Sequence, residues 1–304
     1  MSLLTIDDPA PPRPRGKLGA HAFLALGFRP FYLLGAAFAG VALPAWTASY
    51  LGWQGMPRLD LLWHMHEMLF GFVIAIVIGF LYTAGRNWTG LWTPRGLPLA
   101  ALAGLWLAGR AAMAALPPLP AAAIDVLFLP LAAWPLYRVI RRSGNTRNLV
   151  MVVLLAVLAA ANAAYHASVL GLLAVSPMQP LYAAIVAVVV IESGLGGRVI
   201  PNFTANAVRG VRTQSDPRLE KLSLALTALT GLTWALLPLS LPLAVLALLT
   251  AAVQLLRLAL WKPMCTLRQP LLWVLHLSYA WIPLGFVMLA LACSGVGPQS
   301  AAVY

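Results

Sequence analysis

An all-α, polytopic transmembrane helix bundle with about nine spans is predicted for this 304-residue sequence by three observations. The chain is 61% hydrophobic and only 9% charged, with a mean hydropathy of +0.85, so it has too little polar surface to coat a soluble globule. Its apolar residues form continuous Leu, Ala and Val runs of about 20 residues, the length a helix needs to cross a bilayer. Those runs lack the short apolar/polar alternation of a membrane β-barrel. A soluble enzyme, a nucleic-acid module and a disordered chain are excluded as readings of the whole molecule.

In order, the runs predict spans over 30–52, 63–84, 97–116, 120–141, 148–173, 179–200, 219–237, 241–261 and 270–294. Clusters of Pro, Gly and Arg mark the breaks between them. Residues 1–17 are polar and Pro-rich, and the first apolar run is a full spanning length, so it reads as a retained helix rather than a cleaved signal. One integral membrane domain over 1–304 is expected, with an N-terminal segment over 1–29, the bundle over 30–294 and a short tail over 295–304. Cys265 and Cys293 sit at opposite ends of the last span. They are some 40 Å apart along a helix, too far to bridge.

The basic residues test this count. Arg13, Arg15, Lys17 and Arg29 precede span 1; Arg86 and Arg95 join spans 2 and 3; Arg138, Arg141, Arg142 and Arg147 join spans 4 and 5. Arg198, Arg209, Arg212, Arg218 and Lys221 join spans 6 and 7, and Arg257, Lys262 and Arg268 join spans 8 and 9. Thus 18 of the 20 Lys and Arg fall on one side, which predicts a cytoplasmic N-terminus and an outer C-terminus in a multi-pass inner-membrane protein. The net charge of +12 needs no nucleic acid to account for it.

Polar residues inside spans are informative because a charge near the bilayer centre costs at least about 2.5–3.5 kcal/mol. Span 2 opens with Trp63-His64-Met65-His66-Glu67-Met68, span 3 carries Arg110, span 4 Asp125, and span 5 Asn162, Tyr165 and His166. Arg110, Asp125 and His166 lie roughly 8–10 Å below the outer ends of their spans, so they can meet in one layer. Arg110 and Asp125 read either as an ion pair tying two helices or as groups arranged around an anionic cofactor. His66 and His64 point about 200° apart on a regular helix. Either His64 lies on a non-helical start to the span so that both face one site, or the two serve different partners, with His66 inward and His64 at the interface. Glu67 is three residues from His64 and so is expected on its face. Met65 and Met68 are soft donors that would suit copper, or ordinary packing residues.

A second group lies toward the cytoplasmic ends, with His276 on span 9 about 9 Å from its inner end and Glu192 on span 6. Span 6 then runs into Gly194-Leu195-Gly196-Gly197-Arg198, where glycines admit a neighbouring helix or a flat ligand. No Walker loop, dinucleotide fingerprint, Cys-x-x-Cys pair or haem-attachment motif occurs, so ATP-driven transport and covalent cofactor attachment have no support.

Five motifs in order carry a resemblance: Leu26-Gly27-Phe28-Arg29-Pro30-Phe31, Trp63-His64-Met65-His66-Glu67-Met68-Leu69-Phe70-Gly71, Asn87-Trp88-Thr89-Gly90, Leu107-Ala108-Gly109-Arg110 and Gly196-Gly197-Arg198-Val199-Ile200-Pro201. Over about residues 22–300 the chain resembles the NnrS family of bacterial membrane proteins. That resemblance implies a link to nitric oxide and nitrosative stress, with haem b and copper as cofactors and nitric oxide or another small ligand bound, and a redox partner left unnamed. It makes His64 and His66 the leading ligands, with His166 completing an outer site, His276 forming an inner one, and Arg110 and Arg198 as cofactor-binding members. Glu67, Asp125, Asn162 and Glu192 are the supporting residues. The family pattern has about twelve spans, so further spans are expected after the point where this sequence stops. Two readings stand beside it: a small-solute or metal-ion transporter using Glu192, Arg198 and the glycine-rich break, and a scaffold without a cofactor.

Overall fold

The structure, a computed structural model, describes residues 20–53, 58–208, 210–213 and 215–296. The expectations for Arg13, Arg15, Lys17, Arg209 and the end of the tail over 297–304 lie outside the described residues. Nine long helices follow in order: α1 (Phe28–Tyr50), α2 (Leu61–Thr89), α3 (Leu97–Ala115), α4 (Pro118–Arg142), α5 (Thr146–Val169), α6 (Met178–Ala207), α7 (Pro217–Leu236), α8 (Leu241–Leu260) and α9 (Pro270–Cys293). Eight of them are long and apolar enough to cross a membrane. The other, α7, has the length, but Arg218, Glu220 and Lys221 near its start and Ser223, Thr227 and Thr230 along one face make it more polar.

Two helices outrun their predicted ends. The helix α6 continues through Pro201 to Ala207, past the predicted end of the span at residue 200. The helix α2 runs on to Thr89 and closes on Gly90 at φ +67°, the left-handed conformation that glycine adopts without a Cβ penalty. Two helices depart from regular winding. In α2 the seven residues Glu67–Val73 wind as a π-helix directly after the His64-Met65-His66 turn. In α4 the helix breaks after Asp125 and resumes at Phe128. Pro130 explains that break, since it has no N–H to give the carbonyl of Val126 and its ring crowds that carbonyl.

The helices form two packed groups that share α6. The first has α2 at its centre, against α1, α3, α4 and α6, and its core includes Phe31, Ile74, Tyr82, Trp106, Leu136, Leu155 and Leu181. The second joins α6, α7, α8 and α9 around Trp234, Ala247, Trp261, Ile282 and Phe286. Because α6 places Leu181, Ala184 and Ile191 in one core and Val186 and Ile200 in the other, it is apolar on both sides. Many large apolar side chains face outward, among them Leu97, Leu119, Trp134, Leu271 and Trp281. Such a surface is stable against lipid and unstable against water.

Close approach of α6 and α7 depends on Gly231, where a Cβ would lie 2.5 Å from Val186. Replacing Gly231 with Leu should cost about 1–3 kcal/mol by overpacking, read as a lowered unfolding temperature in detergent. Gly104→Ala, with nothing within 4 Å of the added carbon, should leave stability equal or raise it, because alanine is the better helix former. Equal behaviour of the two variants would refute this packing.

Candidate functional site

The site begins with the charge of Arg110, which is 5% exposed on α3. Its Nη1 donates to Glu67 Oε1 at 2.7 Å, and its Nη2 donates to Asp125 Oδ1. Two glycines make the path. A Cβ at Gly71 would lie 3.1 Å from Arg110 Nη1, and one at Gly109 would lie 3.2 Å from Asp125 Oδ1. The expected ion pair between Arg110 and Asp125 is therefore present, and Glu67 is a second acceptor on the same guanidinium.

Around this pair the histidines gather. His66 Nδ1 is 3.0 Å from Glu67 Oε1 and its Nε2 is 2.9 Å from Asn162 Oδ1. Asn162 Nδ2 donates to Asp125 Oδ2 at 2.8 Å, and His166 Nε2 is 3.0 Å from the same oxygen. Tyr165 stacks on His66 with ring centres 4.5 Å apart and holds its plane. Ligand atoms of His66, Asp125 and His166 all lie within 4.8 Å of one another, and all three residues are buried. Arg110, Asp125 and His166, whose depths allow one layer, are thus in contact, and His66, Glu67 and Asn162 join them.

Three features of this cluster favour a cation. Two carboxylates face one guanidinium, which leaves one negative charge uncompensated in an apolar interior. Both ring nitrogens of His66 face oxygens, Glu67 Oε1 and Asn162 Oδ1, yet a neutral imidazole carries only one N–H. A second proton, or a metal ion at Nε2, removes that mismatch. Lastly, Glu67 Oε2 and Arg110 Nε are buried polar atoms of this cluster without a partner. Glu67 on His66 Nδ1 is the carboxylate partner that orients a metal-bound imidazole.

His64 takes a different partner. Both histidines lie on regular helix, and His64 stacks on Trp46 of α1 with ring centres 3.8 Å apart. Of the two readings of the His-x-His pair, the second holds: His66 faces the cluster, and His64 does not join it. Glu67 likewise serves His66 and Arg110 rather than His64. His64, Met65 and Met68 line a cleft of about 250 Å³ with Val73, Leu181 and Ile185.

The second group disperses. His276 sits buried on α9, its Nδ1 3.0 Å from Leu272 O and its Nε2 3.5 Å from Thr204 Oγ1, so each ring nitrogen already has a neighbour. Arg198 donates to Asn148 Oδ1 at 2.8 Å and ties α6 to the start of α5. Glu192 lines a separate cleft among α6, α7 and α9. The glycine pair is filled by side chains: Gly196 faces the Tyr279 ring, and Gly197 faces the Arg257–Glu220 pair.

That last pair was not expected. Arg257, placed by sequence in a loop, is fully buried at the end of α8. It donates to Glu220, Ser193, Ser223, Gln254 and Tyr279. Beyond it, Gln254 donates to Thr227 at 2.7 Å and Thr230 meets Thr250 at 2.6 Å. The signal was present as two stripes at helical spacing, Ser223, Thr227 and Thr230 on α7 facing Thr250, Gln254 and Arg257 on α8.

With the geometry described, the comparisons are brief. The sequence matches the family model described as NnrS protein over residues 22–304. No curated protein and no solved structure gives a match.

Arg110→Ala leaves Glu67 and Asp125 facing each other without a counter-charge, so it should destabilise by about 3–5 kcal/mol. Combining it with Glu67→Gln and Asp125→Asn should recover part of the loss. Unfolding temperatures of the three proteins in one detergent check this, and a harmless Arg110→Ala would rule out the pairing.

Proposed function

The chain belongs to the NnrS family, and from that premise we propose that it is a metal-binding inner-membrane protein of the response to nitric oxide or nitrosative stress. The observation that carries the metal reading is the buried convergence of His66, Asp125 and His166 beside an uncompensated carboxylate. Two imidazoles and a carboxylate suit a first-row ion such as copper or iron. His66 Nε2, His166 Nε2 and an Asp125 oxygen would hold it, Glu67 would orient His66, and Arg110 would keep both carboxylates in place. A redox-active ion held there supplies a position for a diatomic ligand or a one-electron carrier, in a bundle that excludes water.

Haem rests on the family resemblance alone. Neither cleft is lined by His66, His166 or His276, and the one beside His64, at about 250 Å³, falls below the usual range for pockets that take drug-sized ligands. The described helices leave no slot for a porphyrin between His66 and His166, whose ring centres are 5.2 Å apart at 64°. No step is therefore assigned to haem here.

The whole chain is proposed to act as one membrane unit in which α7 also crosses, with the Arg-rich connections on the cytoplasmic side. Alkaline phosphatase fused after Arg142 should be inactive and fused after Leu173 active. The reverse pattern would overturn the orientation.

For the site, the protein purified in mild detergent should carry stoichiometric copper or iron by elemental analysis. His66→Ala, His166→Ala and Asp125→Ala should each lose most of it, while His276→Ala should keep it. Metal content that is nil in the wild type, or unchanged in the first three variants, would sink the assignment. A Soret band surviving in His66→Ala and His166→Ala would place any haem outside this cluster.

A further inference from the structure

A cleft of about 380 Å³ opens among α6, α7 and α9, away from the histidine cluster. Its walls are mostly aliphatic and aromatic, and Glu192 is the only charged residue on them. Glu192 stands near the midpoint of the 30-residue α6, a helix long and apolar enough to cross a membrane, where an ionisable side chain is costly and often functional. No hydrogen bond or ion pair joins it to another described residue. The guanidiniums on α6 and α8 are already engaged, Arg198 by Asn148 and Arg257 by Glu220.

The rest of the wall indicates what would compensate that charge. Trp234 and Trp281 line the cleft, and indole faces attract cations. Ser278, exposed to the cleft, adds a hydroxyl, and Gly285 keeps the space open, since a Cβ there meets nothing within 4 Å. The volume lies within the range of small-molecule pockets, and the surrounding surface is apolar enough to face lipid.

We propose that this cleft binds a lipophilic monocation drawn from the membrane, with Glu192 as its counter-charge and Trp234 and Trp281 against its apolar body. The site is independent of the metal cluster, so either can fail without the other.

The test is equilibrium binding of tetraphenylphosphonium to the full chain in nanodiscs of zwitterionic lipid, corrected for empty nanodiscs. Saturable binding is expected in the wild type and in Glu192→Asp, and at least tenfold weaker binding in Glu192→Gln. Gly285→Leu, which fills the open space without touching the carboxylate, should weaken it to a similar degree. Thermal unfolding of each variant establishes that it is folded. Absence of saturable binding, or binding indifferent to both Glu192→Gln and Gly285→Leu, overturns the proposal. Binding lost in Gly285→Leu but kept in Glu192→Gln overturns the cation and leaves a site for a neutral ligand.

Discussion

A guanidinium among apolar helices must be given its acceptors by the chain, because lipid offers none and the cost of an unmatched charge exceeds that of most packing defects. Arg110 imposes that requirement on the first helix group. It draws Glu67 from α2 and Asp125 from α4 to one point, and those carboxylates in turn hold His66 and His166. The glycines at 71 and 109 and the break in α4 after Asp125 are what let the three helices approach it. The histidine layer is thus a consequence of how one positive charge is accommodated.

The second helix group solves the same problem differently, and the contrast separates structure from chemistry. Arg257 spends its donors on Glu220, Ser193, Ser223, Gln254 and Tyr279, with Nη2 also bonded to the Ser193 carbonyl. Hydroxyls and amides continue that network along α7 and α8, and a network satisfied in this way rigidifies a bundle. Around Arg110, by contrast, Nε and Glu67 Oε2 lack partners and the His66 imidazole faces an oxygen at each ring nitrogen. Unsatisfied polar atoms of that kind are what the proposed ion would complete, whereas the network around Arg257 is a fastening.

What could be read from the sequence follows from which interactions are local. Span positions were legible because run length alone encodes them, and the common depth of Arg110, Asp125 and His166 followed from counting residues along helices. Partner choice was not legible. The separation of His64 from His66 followed from helical geometry, but which faced the cluster depended on α4 and α5. Arg257 was misplaced because it sits at a helix end beside Lys262 and Arg268, where loop and interior look alike in a linear string. The close packing at Gly196 and Gly197 was anticipated in kind, yet the occupants proved to be side chains from α7, α8 and α9.

The π-helical stretch in α2 has a consequence for how this site can vary. An i→i+5 turn carries one residue more than the regular helix does, so the stretch acts as a rotational offset between the histidine turn above it and the long helix below. Its widened winding leaves the Gly71 carbonyl to accept the Trp106 indole at 3.1 Å. Rewinding this stretch as regular helix without losing a residue would rotate His66 by about 100° against Ile74, Ile78 and Tyr82, whereas deleting a single residue between Glu67 and Val73 would let the turn relax to regular winding and keep that angular relation. The segment should therefore tolerate a one-residue deletion far better than a regular stretch of the same helix, where such a deletion turns everything on one side of it.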